Sequence, residues 1–238
     1  MLKPCIILVN SFHPGNIGSV ARAMKTMGLD DLRLVTPKGQ ITDHSYAMAA
    51  GATDVLQQTL IYDDLKSASL DLELLIATSA DQRKPERPLL TPEQSAQLCW
   101  QPQRVGLVFG GERDGLSLEQ IRQCSHLCHI AGNPDYDVLN LSHAVQILCW
   151  EVKKARPKES PKQTPVAQDA ACLAEIESLL AQWQLQLQLK GNWLDAPAEH
   201  QRWQRLRSLI YQQQFSKQDF SLLNGYIRRL CHPSKKQG

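Results

Sequence analysis

The chain has 238 residues, 42% of them hydrophobic and 21% charged, with a formal net charge of +2. That is enough apolar sequence to bury a core, in one large domain or two modest ones. No run is long enough to cross a bilayer, and Met1–Ile6 leads straight into a short apolar strand, so neither a membrane protein nor a signal peptide is expected.

Seven cysteines, odd in number and without framework spacing, predict reduced thiols in a cytoplasmic protein. The small net charge conceals an asymmetry. Residues 155–238 hold twelve Lys/Arg against seven Asp/Glu, so a polyanion would be drawn to that end first, although a basic tail is also an ordinary soluble surface.

Residues 5–10 form a short apolar run bounded by polar residues, as in a strand covered on both faces. Pro14, Gly15 and Asn16 break it. Ile17, Val20, Met24 and Met27 then recur at helical spacing, leaving Arg22 off the stripe, and Gly28 is a good stop. Residues 32–35, 74–77 and 105–109 read as further strands, with a weaker one at 127–130. Helical stretches are expected at 44–51, 63–69 and 117–124, and a last helix from Leu141 to Lys154. Alternation of this kind predicts a parallel sheet with helices on its faces.

Residues 155–165 carry three prolines and almost no apolar side chain, which is linker composition. The expected organisation is therefore an α/β domain over 1–155, a linker over 156–168 and a small basic all-α domain over 169–238. In the last part, residues 171–189 are rich in helix formers. Trp203, Leu206 and Ile210 mark an apolar face with Arg202 and Arg205 beside it. Ser216 and Asp219 look like a capping pair for a final helix.

Four stretches could carry chemistry, each just after a strand, where ligands gather in open parallel sheets. In residues 10–22, Gly15 and Gly18 would let backbone approach a ligand at a helix N-terminus, or would simply make a tight turn beside a solvated Arg22. Thr78, Ser79 and Ala80 end a strand in small residues and hydroxyls. Residues 109–116 (Phe-Gly-Gly-Glu-Arg-Asp-Gly-Leu) must form an exposed, irregular loop, and residues 130–140 form another. Cys124, His126, Cys128 and His129 lack the distant second pair of a zinc site and read as a strand edge, so no metal is expected.

Residues 16–24, 109–116 and 139–146 resemble, in order, the three motifs of the TrmH branch of the SPOUT RNA 2′-O-methyltransferases. The resemblance spans residues 1–154 and continues more faintly through the C-terminal helices. It implies a deep trefoil knot at the C-terminal end of the sheet, an exception to the rule against knots, and a homodimer formed through the knot region. It also implies S-adenosyl-L-methionine as cofactor, touching Thr78, Ser79, Ala80, Gly110, Glu112, Ile130, Asp137, Val138, Leu139 and Asn140. Asn16 and Arg22 would form the catalytic centre, with Glu112 fixing the loops and Asn140 bonding across the knot.

The implied reaction is ribose 2′-O-methylation of a pyrimidine in the tRNA anticodon loop. Arg83, Arg113, Arg202, Arg205, Arg228 and Arg229 are the candidate RNA contacts, and a dimer-bracing helical tail is the other reading of the C-terminal end. The sequence departs from the family pattern at Asp81, Gly111 and Asp137-Val138, where arginine, arginine and serine are usual. Another RNA target, or a fold that binds RNA without catalysis, is the alternative those departures leave.

Overall fold

The computed structural model describes residues 2–79, 87–136, 138–157, 171–189, 197–212 and 216–231. Its sheet starts with strand β1 (Cys5–Val9), every residue of which is buried. On either side run β2 (Leu32–Val35), β3 (Leu60–Tyr62), β4 (Leu74–Thr78), β5 (Leu89–Leu90), β6 (Val105–Gly110) and β7 (His126–Cys128). All pairings are parallel, in the order β3-β2-β1-β6-β4-β7-β5.

The alternation of side chains along each strand sends Ile6, Leu8, Ile76, Leu107 and Phe109 into one core. Cys5, Ile7, Val9, Leu75, Ala77 and Val108 enter a second core on the opposite face. A parallel sheet buried on both faces can be apolar throughout, which is why these strands read as unbroken apolar runs.

The first face is covered by α1 (Pro14–Met27), α2 (Asp43–Ala49), α3 (Thr53–Gln57), α4 (Pro92–Leu98) and α6 (Leu141–Ala155), while α5 (Leu118–Arg122) lies in the β6–β7 connection. α1 buries Ile17, Val20 and Met24 as its spacing predicts, leaves Arg22 exposed, and ends at Gly28 with φ 83°. The second face is covered from beyond the proline-rich stretch by α7 (Leu173–Leu189) and α8 (Pro197–Gln212), with α9 (Lys217–Cys231) packed alongside. Leu173, Ile176, Leu180, Trp183, Trp203 and Ile210 share the core of Ile7 and Leu75. Leu173 N donates to Leu72 O at 2.8 Å, anchoring the start of α7 beside the sheet.

Several expectations need correction. The helix expected at 63–69 is only a 3-10 turn, Ser67–Ser69, because the Asp64 carboxylate takes the Ser67 N–H in a local turn. Gly18 serves no ligand: a Cβ there would stand 2.1 Å from Ser45 O, so the glycine lets α1 and α2 touch. Leu206 is exposed, and the buried side of α8 runs instead through Trp203, Ser208, Ile210 and Tyr211. β3, β5, α3 and α4 were not foreseen. The predicted cap of the final helix is present, with Ser216 Oγ accepting from Asp219 N at 3.1 Å. Residues 158–170, most of the expected linker, lie outside the described residues.

Candidate active site

The carboxyl ends of β4, β6 and β7 open into a cleft of about 870 Å³, inside the roughly 300–1,000 Å³ range of small-molecule sites. One wall is the loop Gly110–Gly115. This loop closes on itself through Gly115 N to Gly111 O at 3.0 Å, with Gly115 at φ 64°. A Cβ at Gly110 would meet Gly115 C at 2.1 Å and one at Gly111 would meet Asn10 O at 2.3 Å, so in this chain both glycines let the turn sit close against the end of β1. The other walls are Thr78 and Ser79, the apolar side chains of Leu118, Ile121, Leu127 and Ile130, and Val138 and Leu139 before α6.

Three segments distant in sequence are tied together at the edge of this cleft. The Glu112 carboxylate accepts from Phe12 N at 2.8 Å, from Asn16 Nδ2 at 2.7 Å and from His13 N at 3.3 Å. Asn16 Oδ1 in turn accepts from Asn140 Nδ2 at 3.3 Å, while Asn140 Oδ1 caps α6 by accepting from Ser142 N at 2.9 Å. The anion at the start of α1, whose N-cap His13 contributes no side-chain cap, is thus a carboxylate of the protein itself. Burial pushes the Glu112 carboxyl up, but the bonds from Asn16 and the backbone N–H groups outweigh it and hold the group below the ordinary glutamate range.

Of the expected cofactor residues, Thr78, Ser79, Gly110, Glu112, Ile130, Val138 and Leu139 all line the cleft. Thr78 Oγ1 donates to Val108 O at 3.0 Å, and Ser79 N donates to Cys128 O at 3.1 Å. Asn140 does not line it and acts through Asn16 instead. Ala80, Arg83 and Asp137 lie outside the described residues, as does the Arg228 side chain. Arg22 is exposed six residues beyond Asn16 on α1, about 9 Å along the axis. Its guanidinium pairs with no described residue, so one chain does not bring the two expected catalytic residues into contact.

Arg113 lines the cleft and stacks on Phe12, its Cζ 3.8 Å from the ring centroid. Arg202 pairs with Glu199 on α8, and Arg205 and Arg229 are exposed. Arg87, one of the arginines that could compensate for the cation missing at Asp81, is buried. Its guanidinium donates to Cys124 O at 2.7 Å, Arg122 O at 2.6 Å and Ser208 Oγ at 2.8 Å.

Sequence reasoning missed the apolar wall, although Leu116, Leu118 and Ile121 recur beside a charged loop where no strand runs. In the cysteine–histidine stretch, Cys124 and Cys128 are buried and His126 is half-buried. Burial pushes the Cys124 and Cys128 thiols up to about 12 and about 11, and it pushes the His126 imidazole down. No three metal-binding side chains converge among the described residues, and no described helix is long and apolar enough to cross a membrane.

A small-molecule cleft at the carboxyl ends of a parallel sheet, with its loops tied across the chain, is the frame of an α/β RNA methylase. The chain belongs to the SpoU rRNA Methylase family, whose profile matches residues 3–150. Over 93% of its length it is 34% identical to the tRNA (cytidine/uridine/adenosine-2′-O-)-methyltransferase TrmJ of Pseudomonas aeruginosa, covering 91% of that protein. The crystal structure of TrmJ from Z. mobilis superposes with a TM-score of 0.84 at 31% identity, over 95% of this chain and 98% of that one. The fold alone is shared with the SpoU methyltransferase AviRb of Streptomyces viridochromogenes, solved in complex with AdoMet (18% identity, TM-score 0.52, 65% and 60% of the two chains).

Proposed function

We propose that this protein is a cytoplasmic, S-adenosylmethionine-dependent tRNA 2′-O-methyltransferase that acts on a pyrimidine ribose of the anticodon loop. The observation that carries the reading is the Glu112–Asn16–Asn140 clasp at the edge of the glycine-walled cleft. It joins all three motif segments into one site, and the TrmJ relatives supply the substrate class.

The cleft suits the cofactor in size and chemistry. Leu118, Ile121, Leu127 and Ile130 offer flat apolar contact, while the 110–115 backbone and the Thr78 and Ser79 groups offer polar contact. These residues, with Ala80 and Asp137 to Leu139, would hold it. When bound, S-adenosylmethionine supplies an electrophilic methyl group on a sulfonium sulfur. The remaining work is to place a ribose 2′-hydroxyl in line with it, and positioning of this kind can supply much of the rate. The O–CH3 bond forms as the S–CH3 bond breaks, and the hydroxyl proton must leave.

Asn16, held on both sides of its amide, presents a fixed group beside the cleft. The Arg22 guanidinium carries donors and no acceptor. Its role is to hold a phosphate and orient the hydroxyl, with the RNA phosphate or solvent taking the proton. The trefoil threading and a homodimer through the same region belong to this proposal. The homodimer is supported by apolar Tyr136, Val138, Leu118 and Trp150 left exposed near the cleft and along α6. Residues 1–155 are proposed as the catalytic domain. Arg202, Arg205, Arg228 and Arg229 in the helices beyond the linker, with Arg83 and Arg113 nearer the cleft, are proposed to grip tRNA.

The test is transfer of labelled methyl from S-adenosylmethionine to tRNA, with the site located by ribose-methylation mapping. Wild type is expected to label one anticodon-loop ribose. Arg22→Ala should lose at least about 100-fold in kcat, the scale of a lost positioning group, at unchanged thermal stability. Methylation of ribosomal RNA only would overturn the tRNA assignment, and full activity in Arg22→Ala would overturn its role.

A further inference from the structure

Beside the clasp, one side chain is arranged in a way the reading above leaves unexplained. Phe12 contributes its backbone N–H to Glu112, but its ring is half exposed and serves as the seat of Arg113. The Arg113 guanidinium lies 3.8 Å from the ring centroid, and the His13 ring meets the same ring edge-on at 5.2 Å. Arg113 is exposed, lines the cleft and forms no ion pair with any described residue. A guanidinium fixed over an aromatic face still presents its fork of donors, while its long side chain is already oriented.

We propose that Phe12 is a positioning residue: its ring holds the Arg113 guanidinium at the mouth of the cleft so that it takes a backbone phosphate of the RNA substrate. The proposal rests on the tRNA methyltransferase reading and deepens it. Arg113 supplies the phosphate contact; Phe12 touches neither substrate nor cofactor and acts only through Arg113. A ring-stacked guanidinium loses less freedom on binding than a solvated one, and that difference appears as affinity.

The experiment is a double-mutant cycle on the full chain, measuring tRNA affinity with S-adenosylmethionine present, at several salt concentrations. Arg113→Ala should weaken binding and flatten the slope of log K against log salt by about 0.7, the value for one phosphate contact to a single strand. Phe12→Leu should cost about 2- to 5-fold, the worth of an exposed cation–π contact. Phe12→Trp should restore wild-type affinity, and Phe12→Leu should cost nothing further once Arg113 is alanine. Cofactor affinity should stay unchanged in the Phe12 variants, which separates positioning from misfolding.

Wild-type affinity in Phe12→Leu, or additive losses in the double variant, would overturn the proposal while leaving the methyltransferase reading intact. Failure of the wild type itself to bind tRNA would overturn both.

Discussion

Replacing Glu112 by Gln tests the clasp that defines the site. The carboxylate accepts two short bonds, from Phe12 N and Asn16 Nδ2, and a longer one from His13 N. A bond to an ionised group is worth roughly 1 kcal/mol more than a neutral one, so losing the charge costs about 2 kcal/mol over the two short bonds before screening. Because the carboxylate is only partly buried, we reduce this to about 1 kcal/mol. The amide also brings a donor where only an acceptor fits. Turning Asn16 over to receive it would break the bond from Asn140, whose own oxygen is committed to Ser142.

Thermal unfolding at pH 7 should therefore fall by about 2–4 °C for a domain of this size, with a loss of methyl transfer on the order of 10- to 100-fold as the loops lose register. The pH dependence has a fixed sign. The folded-state pKa of Glu112 is depressed, so its contribution is complete above the unfolded value of about 4.3 and disappears as pH falls through the folded value. Wild type and Glu112→Gln should converge in stability once the pH falls below that depressed folded value. Equal melting temperatures at pH 7, or a gap that persists in acid, would refute the assignment.

Gly18→Ala places a methyl group 2.1 Å from a backbone oxygen of α2 that cannot swing aside; it should cost about 1–3 kcal/mol in denaturant unfolding, and a neutral result would mean that α1 and α2 separate freely. Arg87→Ala strands the Cys124 and Arg122 carbonyls and the Ser208 hydroxyl. A loss of about 2–4 kcal/mol is expected, accompanied by weaker cofactor binding because Ile121 and Arg122 line the cleft; calorimetry with S-adenosylmethionine would show whether affinity is untouched. Ending the chain at residue 157 uncovers Ile7, Val9, Leu75 and Val108, so light scattering should detect self-association and the melting temperature should drop. A monodisperse, equally stable fragment would show that the second face is covered some other way.

The strands with continuous apolar runs were legible because a sheet covered on both faces imposes no polar alternation, and β1, β4 and β6 follow the predicted boundaries closely. β3 and β5 were not legible. Three and two residues long, they carry no pattern of their own and exist through register with β2 and β7. α4 differs, since its Thr91-Pro92-Glu93-Gln94 start carries a full capping box and so a legible sequence signal. In the site, residue types and loop positions were visible, but their grouping was not. Glu112 lies 96 residues from Asn16, and Asn140 lies 124 residues from it; only the parallel topology, which gathers strand ends on one side, brings them together. Arg87 and Arg113 look alike in sequence, and burial alone separates the structural one from the one facing the cleft.

The charge asymmetry of the chain takes on a different meaning once both faces of the sheet are considered. An all-parallel sheet needs cover on each side, and the helices before residue 157 supply it on the first face. α7 and α8 complete the second, committing Leu173, Ile176, Trp183, Trp203 and Ile210 to the core. Even the charged groups that point inward are used there: Glu177 is buried and answered by Lys66 and Arg207, at 2.6 and 2.8 Å. Among the described residues beyond 170, Arg202, Arg205 and Arg229 are exposed. Basic residues on a helix that already completes the core cannot move independently of it, so RNA gripped there, as proposed, would be held at a fixed place relative to the cleft. For a reaction that depends on placing one hydroxyl, that rigidity matters more than the modest affinity a few exposed arginines supply.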